Sequence, residues 1–103
     1  MREIISYKID EIRLIIAKQL DLSNNYITLL NIAESRGDKV IFLALEKENS
    51  IVAAGLFSKN TRKILGFKYC SLFLYGYSFF DYNKVFIIPT FANNFFSFVK
   101  SII

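Results

Sequence analysis

The sequence predicts an α/β (α+β) domain, a mostly antiparallel sheet flanked by helices. Three observations carry this expectation. Apolar residues recur at helical spacing up to about residue 36, and from residue 39 they run continuously. The continuous runs are separated by short polar stretches of hairpin length. The last segment returns to a helical period, with apolar residues on one side. At 103 residues the chain is one small domain, read as a single unit over 1–103, without repeats, low-complexity tracts or a linker.

Ile5, Ile9, Ile12, Ile16 and Leu20 lie at helical spacing, while Ile5, Tyr7 and Ile9 alternate as in a strand. A short strand over about 3–8 followed by a helix over about 9–20 satisfies both patterns; a single helix is the alternative. The next helix is expected to start at Ser23, whose hydroxyl can cap free backbone N–H groups. Leu22 and Ile27 then form a hydrophobic staple. Tyr26, Leu29, Leu30 and Ala33 make the apolar face, and Gly37 ends the helix in a left-handed conformation.

The strands follow. "KVIFLALE" (39–46) and "IVAAGLF" (51–57) are apolar at both parities, so the sheet is expected to be covered on both faces. "EKENS" is the loop between them. "SKNTRK" (58–63) is the expected turn into a third run, "ILGFKYCSLFLYGY", with Gly66 and Gly76 as bulge or bend points. "YNKVFII" (82–88) is the last strand. Thr90 is the expected cap of the final helix. Phe91, Phe95, Phe98, Val99 and Ile102 form its apolar stripe, and Asn93, Asn94, Ser97, Lys100 and Ser101 its polar face. The chain then stops at Ile102-Ile103 with no C-terminal cap. A carboxylate there opposes the helix dipole. The expectation is a chain that continues or docks its end, against a tail folded onto its own core.

Composition narrows the chemistry. Hydrophobic residues reach 53%, more than one small globule needs to cover, which argues against disorder and for a partner or further chain over some of the surface. The net charge is +4. Its nearest approach to a cluster is Lys59, Arg62, Lys63 and Lys68 in "SKNTRKILGFK", read as a solvated hairpin turn with phosphate binding as the alternative. No nucleic-acid partner is expected. The absence of histidine excludes Ser-His-Asp and Cys-His catalysis within the chain, and every His-ligated metal. Cys70 is alone, so it forms no intrachain disulfide and reads as a small core residue. The four glycines stand singly, so no phosphate-binding glycine loop can be drawn. Charges in "MREIISYKIDEIR" exclude a signal peptide. The longest uncharged run, "VFIIPTFANNFFSFV", is too short to span a bilayer. A soluble, cytoplasmic protein is expected.

Among the acids, Asp10, Glu11, Glu46 and Glu48 read as solvated charge. Asp81, set between Phe80 and Tyr82, is different. Partial burial there raises a carboxyl pKa and suits a general base or a group orienting a substrate amine. The competing reading is a turn, with Asp81 and Asn83 bonding the local backbone. Tyr75, Tyr77 and Tyr82 are candidates to line a cleft.

The stretch "DKVIFLALEKENSIVAAGLFSKNTRKILGFKYCSLFLYGYSFFDYNKVFI" resembles the N-terminal portion of GNAT-type acyltransferases of the CelD-like and Fem-like branches. The element order of strand, two helices, antiparallel meander and helix is that of the first half of the GNAT fold. The resemblance covers about residues 23–101 and rests on Gly76 followed by the pair Asp81-Tyr82 and a short apolar strand. It implies acyl transfer from acyl-CoA, or from aminoacyl-tRNA in the Fem branch, to an amine, without a metal. Acyl-CoA enters as co-substrate rather than as a bound cofactor of this chain. It implies Asp81 and Tyr82 as substrate-binding residues. The junction "IIPTFANNFF", where the family carries a glycine-containing loop for the CoA pyrophosphate, has no glycine. The resemblance therefore implies an N-terminal half, inactive alone and completed by further chain or a second polypeptide. The rival reading is a small non-enzymatic module that forms a homodimer through its aromatic face and final helix.

Overall fold

Runs that are apolar at both parities need cover on both faces, and the fold supplies it. A computed structural model describes residues 1–18, 20–74 and 86–102. The elements are β1 (Arg2–Ser6), α1 (Ile9–Ala17), α2 (Leu20–Arg36), β2 (Ile41–Lys47), β3 (Ser50–Ile64), β4 (Phe67–Leu74) and β5 (Phe86–Ile87). A 3-10 turn at Pro89–Phe91 then leads into α3 (Ala92–Ile102). The strands form one antiparallel sheet in the order β1-β2-β3-β4, and β5 pairs with β3. The expected mixed class with a mainly antiparallel sheet is the observed one.

Alternation along β2 sorts its side chains into two cores. Phe42 and Ala44 join Ile12, Ile16, Tyr26, Leu29, Leu30 and Ala33 on the α1/α2 face. Ile41, Leu43 and Leu45 join Phe95 and Phe98 on the α3 face. Leu29, Leu30 and Ala33 are completely buried, so the predicted face of α2 is the buried one. Arg13 spans the two helices, donating to the Glu34 carboxylate at 2.9 Å and to Asn31 Oδ1 at 2.7 Å. Exposed pairs of this kind contribute little to stability.

Helix α2 ends as expected. Gly37 has φ +69°, Gly37 N–H donates to Glu34 O, and Asp38 N–H donates to Ala33 O. This double closure is a Schellman motif, and only a residue without Cβ adopts that φ at little cost. The predicted starts are corrected. Helix α2 begins at Leu20, so Ser23 and Leu22 both lie inside it and Ser23 does not cap it. The last helical segment opens at Ile88 without a side-chain cap, and Thr90 sits inside the 3-10 turn.

The turns also differ from expectation. "EKENS" contracts to a two-residue loop, Glu48-Asn49, with φ of 52° and 64°, because Lys47 and Ser50 still pair. "SKNTRK" is not a turn: residues 58–63 continue β3, which pairs through Ile64–Phe67 with β4. The reversal is Leu65-Gly66, both at positive φ. Polar residues occur there because this part of the strand extends past β2, whose last partner on this side is Phe57.

Gly66, an expected bend point, lies in that reversal, while a register irregularity of the described sheet falls in the β2–β3 pair instead. Leu45 pairs with Ala53 and Glu46 with Ile51, leaving Val52 as an extra residue on β3. Such a bulge reverses the facing of the strand residues beyond it. It puts Val52 and Ala53 together in the α3-side core and returns Ile51 to the α1/α2 core.

Gly55 is required by a close approach. A Cβ at this position would lie 2.6 Å from Cε2 and 2.7 Å from Cζ of Phe57. The ring occupies the space a side chain would fill, and Phe57 is itself buried. Gly55→Ala is expected to destabilise the fold by about 1–3 kcal/mol through this overlap. Urea denaturation checks it, and the double variant Gly55→Ala/Phe57→Leu should recover part of the loss.

The final helix packs as its stripe predicts. Phe95 and Phe98 are buried, Phe91, Val99 and Ile102 are half-buried against the same core, and the predicted polar face is exposed. Among the described residues no helix is long and apolar enough to cross a membrane.

Candidate functional site

Asp81 and Tyr82, the predicted substrate-binding pair, lie outside the described residues, as do Tyr75, Gly76, Tyr77 and Asn83. The frame on either side of them is defined. Leu74, the last residue of β4, pairs with Phe57, and Phe86, the first of β5, pairs with Ala54. Both therefore meet the same edge of β3, three residues apart, about 10 Å along the strand. Gly55 and Leu56 are the β3 residues between these attachment points.

Short as it is, β5 is firmly tied. Its register is Ala53↔Ile87 and Ala54↔Phe86. The next residue, Ile88, donates its N–H to Val52 O at 2.9 Å, using a carbonyl at the bulge. From α2, the Tyr26 hydroxyl donates to Ala54 O at 3.2 Å, and the Phe86 backbone bonds the same hydroxyl. The Tyr26 ring stands edge-on to Phe42, with centroids 6.0 Å apart and planes at 84°. Burial pushes the phenol pKa up to about 12, and the Phe86 hydrogen bond only partly opposes this. A tyrosine held neutral in this way fixes the β3–β5 junction rather than shuttling protons.

No family model matches the chain. No curated protein and no solved structure matches it either. What the site can do therefore rests on its own geometry.

The β5–α3 junction is where the resemblance implies a phosphate loop. Free N–H groups at a helix opening hold phosphate. Here Pro89 has no N–H, Phe91 N–H donates to Ile88 O at 2.9 Å, and Ala92 N–H donates to Pro89 O. Pro89 thus offers no donor, and the Phe91 and Ala92 donors are engaged within the turn. Lys47 is brought to this junction, its Nζ 5.3 Å from the centre of the Phe91 ring. It supplies positive charge but no directed cradle.

Among the described residues, open clefts lie on either side of the sheet. One, of about 490 Å³, lies between β1 and α3 and is lined by Glu3, Asn93, Asn94, Ser97 and Ser101, among others. Ser101 Oγ is engaged with Phe98 O at 2.6 Å. The other, of about 540 Å³, lies between the β1–α1 turn and the end of α2, with Tyr7, Asp10, Glu34, Asp38 and Lys39 among its residues. Apolar residues share both linings, Leu45 and Phe98 in the first and Ile9 and Val40 in the second. Among the described residues no group of three or more Cys, Asp or Glu is placed to hold a metal ion.

Sequence reasoning placed Tyr26 on the buried face but missed the role of its hydroxyl. The available signal was a tyrosine among Leu29, Leu30 and Ala33, since a buried phenol needs a partner.

Proposed function

We propose that this chain is the N-terminal half of a GNAT-type acyltransferase, inactive alone, with Asp81 and Tyr82 on the substrate side and the acyl-CoA site supplied by further chain or a second polypeptide. The observation that carries this reading is the element order: strand, two helices, antiparallel meander, then β5 running through Pro89 into α3. Lys47 at that junction gives it a charge suited to an anionic donor. The engagement of the Phe91 and Ala92 N–H groups within the turn supports a donor site supplied from elsewhere. Catalysis in the completed enzyme would rest on holding the amine against the thioester and on backbone donors for the oxyanion.

Two measurements test this. Acetyl-CoA or a longer acyl-CoA at millimolar concentration is expected to leave the melting temperature of the chain unchanged; a shift of several degrees overturns the view that it lacks a donor site. Coding DNA beyond the Ile103 codon is expected to continue, in frame or through a frameshift, into a strand, a glycine loop and a helix. Unrelated sequence after a genuine stop overturns the half-enzyme reading. In that case the homodimer is favoured by two features. Phe96 on α3 is 53% exposed, and β1 pairs only with β2 among the described strands. A dimer mass in light scattering supports it.

A further inference from the structure

The segment from Ser58 to Leu74 carries Lys59, Arg62, Lys63 and Lys68 and no acidic residue. It therefore accounts for the whole net charge of +4, and the nine other basic residues balance the nine acids. This segment is the two-stranded arm of β3 and β4. Beyond Phe57, β3 pairs with β4 alone among the described strands, so the arm extends past the end of β2.

The register arranges the charge in a pattern that a loop would not have. At the end stands an uncharged apolar tip, with Ile64 paired to Phe67 around Leu65-Gly66. Immediately behind it come the rungs Lys63–Lys68 and Arg62–Tyr69, so three cations fall on the two rungs next to the tip.

Leu65 is the second anomaly. It is 94% exposed and has φ +53°. The tight two-residue reversal with positive φ at both positions favours Asn or Asp at its first place, and a leucine there is strained as well as wet. The turn between β2 and β3 in this same chain has Glu48-Asn49 in the equivalent positions, so the architecture does not call for an apolar residue.

We infer that the β3–β4 arm docks on an anionic lipid bilayer. Its apolar tip enters the boundary between headgroups and acyl chains, and Arg62, Lys63 and Lys68 meet lipid phosphates and carboxylates. The dimensions agree. From the turn to the Lys63–Lys68 rung is about 7 Å at the rise of an antiparallel strand. That lies within the ~5–10 Å depth reached by surface-bound apolar groups. Tyr69 on the next rung is a residue type enriched at that interface. A nucleic acid would also satisfy the cations, but it offers Leu65 an apolar contact only where base steps are unstacked. This inference stands apart from the acyltransferase reading and fails or holds independently of it.

The test is co-sedimentation of the full chain with vesicles of phosphatidylcholine alone and of phosphatidylcholine with one-third phosphatidylserine. Binding is expected to the anionic vesicles and to weaken with salt. Leu65→Asn installs the favoured turn residue, so its melting temperature should equal or exceed the parent's, while its partitioning falls about tenfold or more. Lys63→Gln and Lys68→Gln should each weaken binding to anionic vesicles about fivefold. Parent protein left in the supernatant with anionic vesicles overturns the proposal. So does a Leu65→Asn variant that binds as well as the parent, and so does retention on duplex DNA without vesicle binding.

Discussion

Phe95→Ala is expected to lower the stability of the fold by about 3–5 kcal/mol, whereas Phe96→Ala, one position along, should change it by about 0.5 kcal/mol or less. The two residues differ only in where the helix puts them. Phe95 is completely buried against the sheet and Phe96 is 53% exposed. Helix α3 is the cover for Ile41, Leu43, Leu45, Val52 and Ala53, and Phe95 and Phe98 are its buried side chains. Domains of this size are stable by only about 5–15 kcal/mol, so the Phe95 variant should be partly unfolded or close to it at ambient temperature. Urea denaturation of the pair checks this, and dye binding to the uncovered face should rise only in Phe95→Ala. Equal losses from both substitutions would mean that α3 does not dock through this stripe. The same experiment bears on the homodimer, because a partner seated on α3 must use Phe96 and leave Phe95 in place.

The layers of this fold were legible because burial writes itself into the sequence. Runs apolar at both parities, residues 39–46 and 51–57, required cover on two sides, and α1/α2 and α3 provide it. Phe91, Phe95 and Phe98 declared the face of α3, and Gly37 declared the end of α2. What was not legible lies where burial is silent. The "SKNTRK" segment looked like a loop because a strand leaving the core carries the same polar residues as a loop does. Its pairing partner, not its composition, makes it a strand. The Val52 bulge involves no glycine, and its purpose, returning Ile51 to the helix side, becomes visible only with the register. The start of α1 at Ile9 was legible from the period alone, although Lys8 offers no side-chain cap, whereas Ser23 and Thr90 resemble caps but lie inside α2 and the 3-10 turn. As for the candidate site, Asp81 and Tyr82 remain a reading by resemblance, and the described structure supplies the frame around them. The Tyr26 contact joins residues 28 positions apart, and no local pattern encodes it.

That contact makes stability depend on alkaline pH in a way the variant Tyr26→Phe should abolish. The phenol has a pKa of about 12 in the folded protein against 10.0 as the ordinary value. Between these values the unfolded chain releases the proton and the folded one retains it. Fewer protons are bound in the unfolded state, so stability falls as pH rises. The tyrosine's contribution is complete below pH ~10 and is lost progressively toward pH ~12, with a total of about 3 kcal/mol for a shift of this size. Tyr26→Phe removes this loss but at neutral pH also removes the hydroxyl's hydrogen bonds to the Ala54 carbonyl and the Phe86 backbone, at a cost of about 1–2 kcal/mol. The variant is therefore the less stable protein at pH 7, and the difference should vanish near pH ~11 and reverse above it. Other tyrosines and the lysines titrate in the same window, so the informative quantity is the difference in urea midpoint between the two proteins at each pH. A difference that stays constant from neutral pH to pH ~12 would mean the hydroxyl is reached by water and does not bind α2 to the β3–β5 junction. A reversal would establish that the short strand leading into α3 is held from the opposite face of the sheet, through one buried phenol.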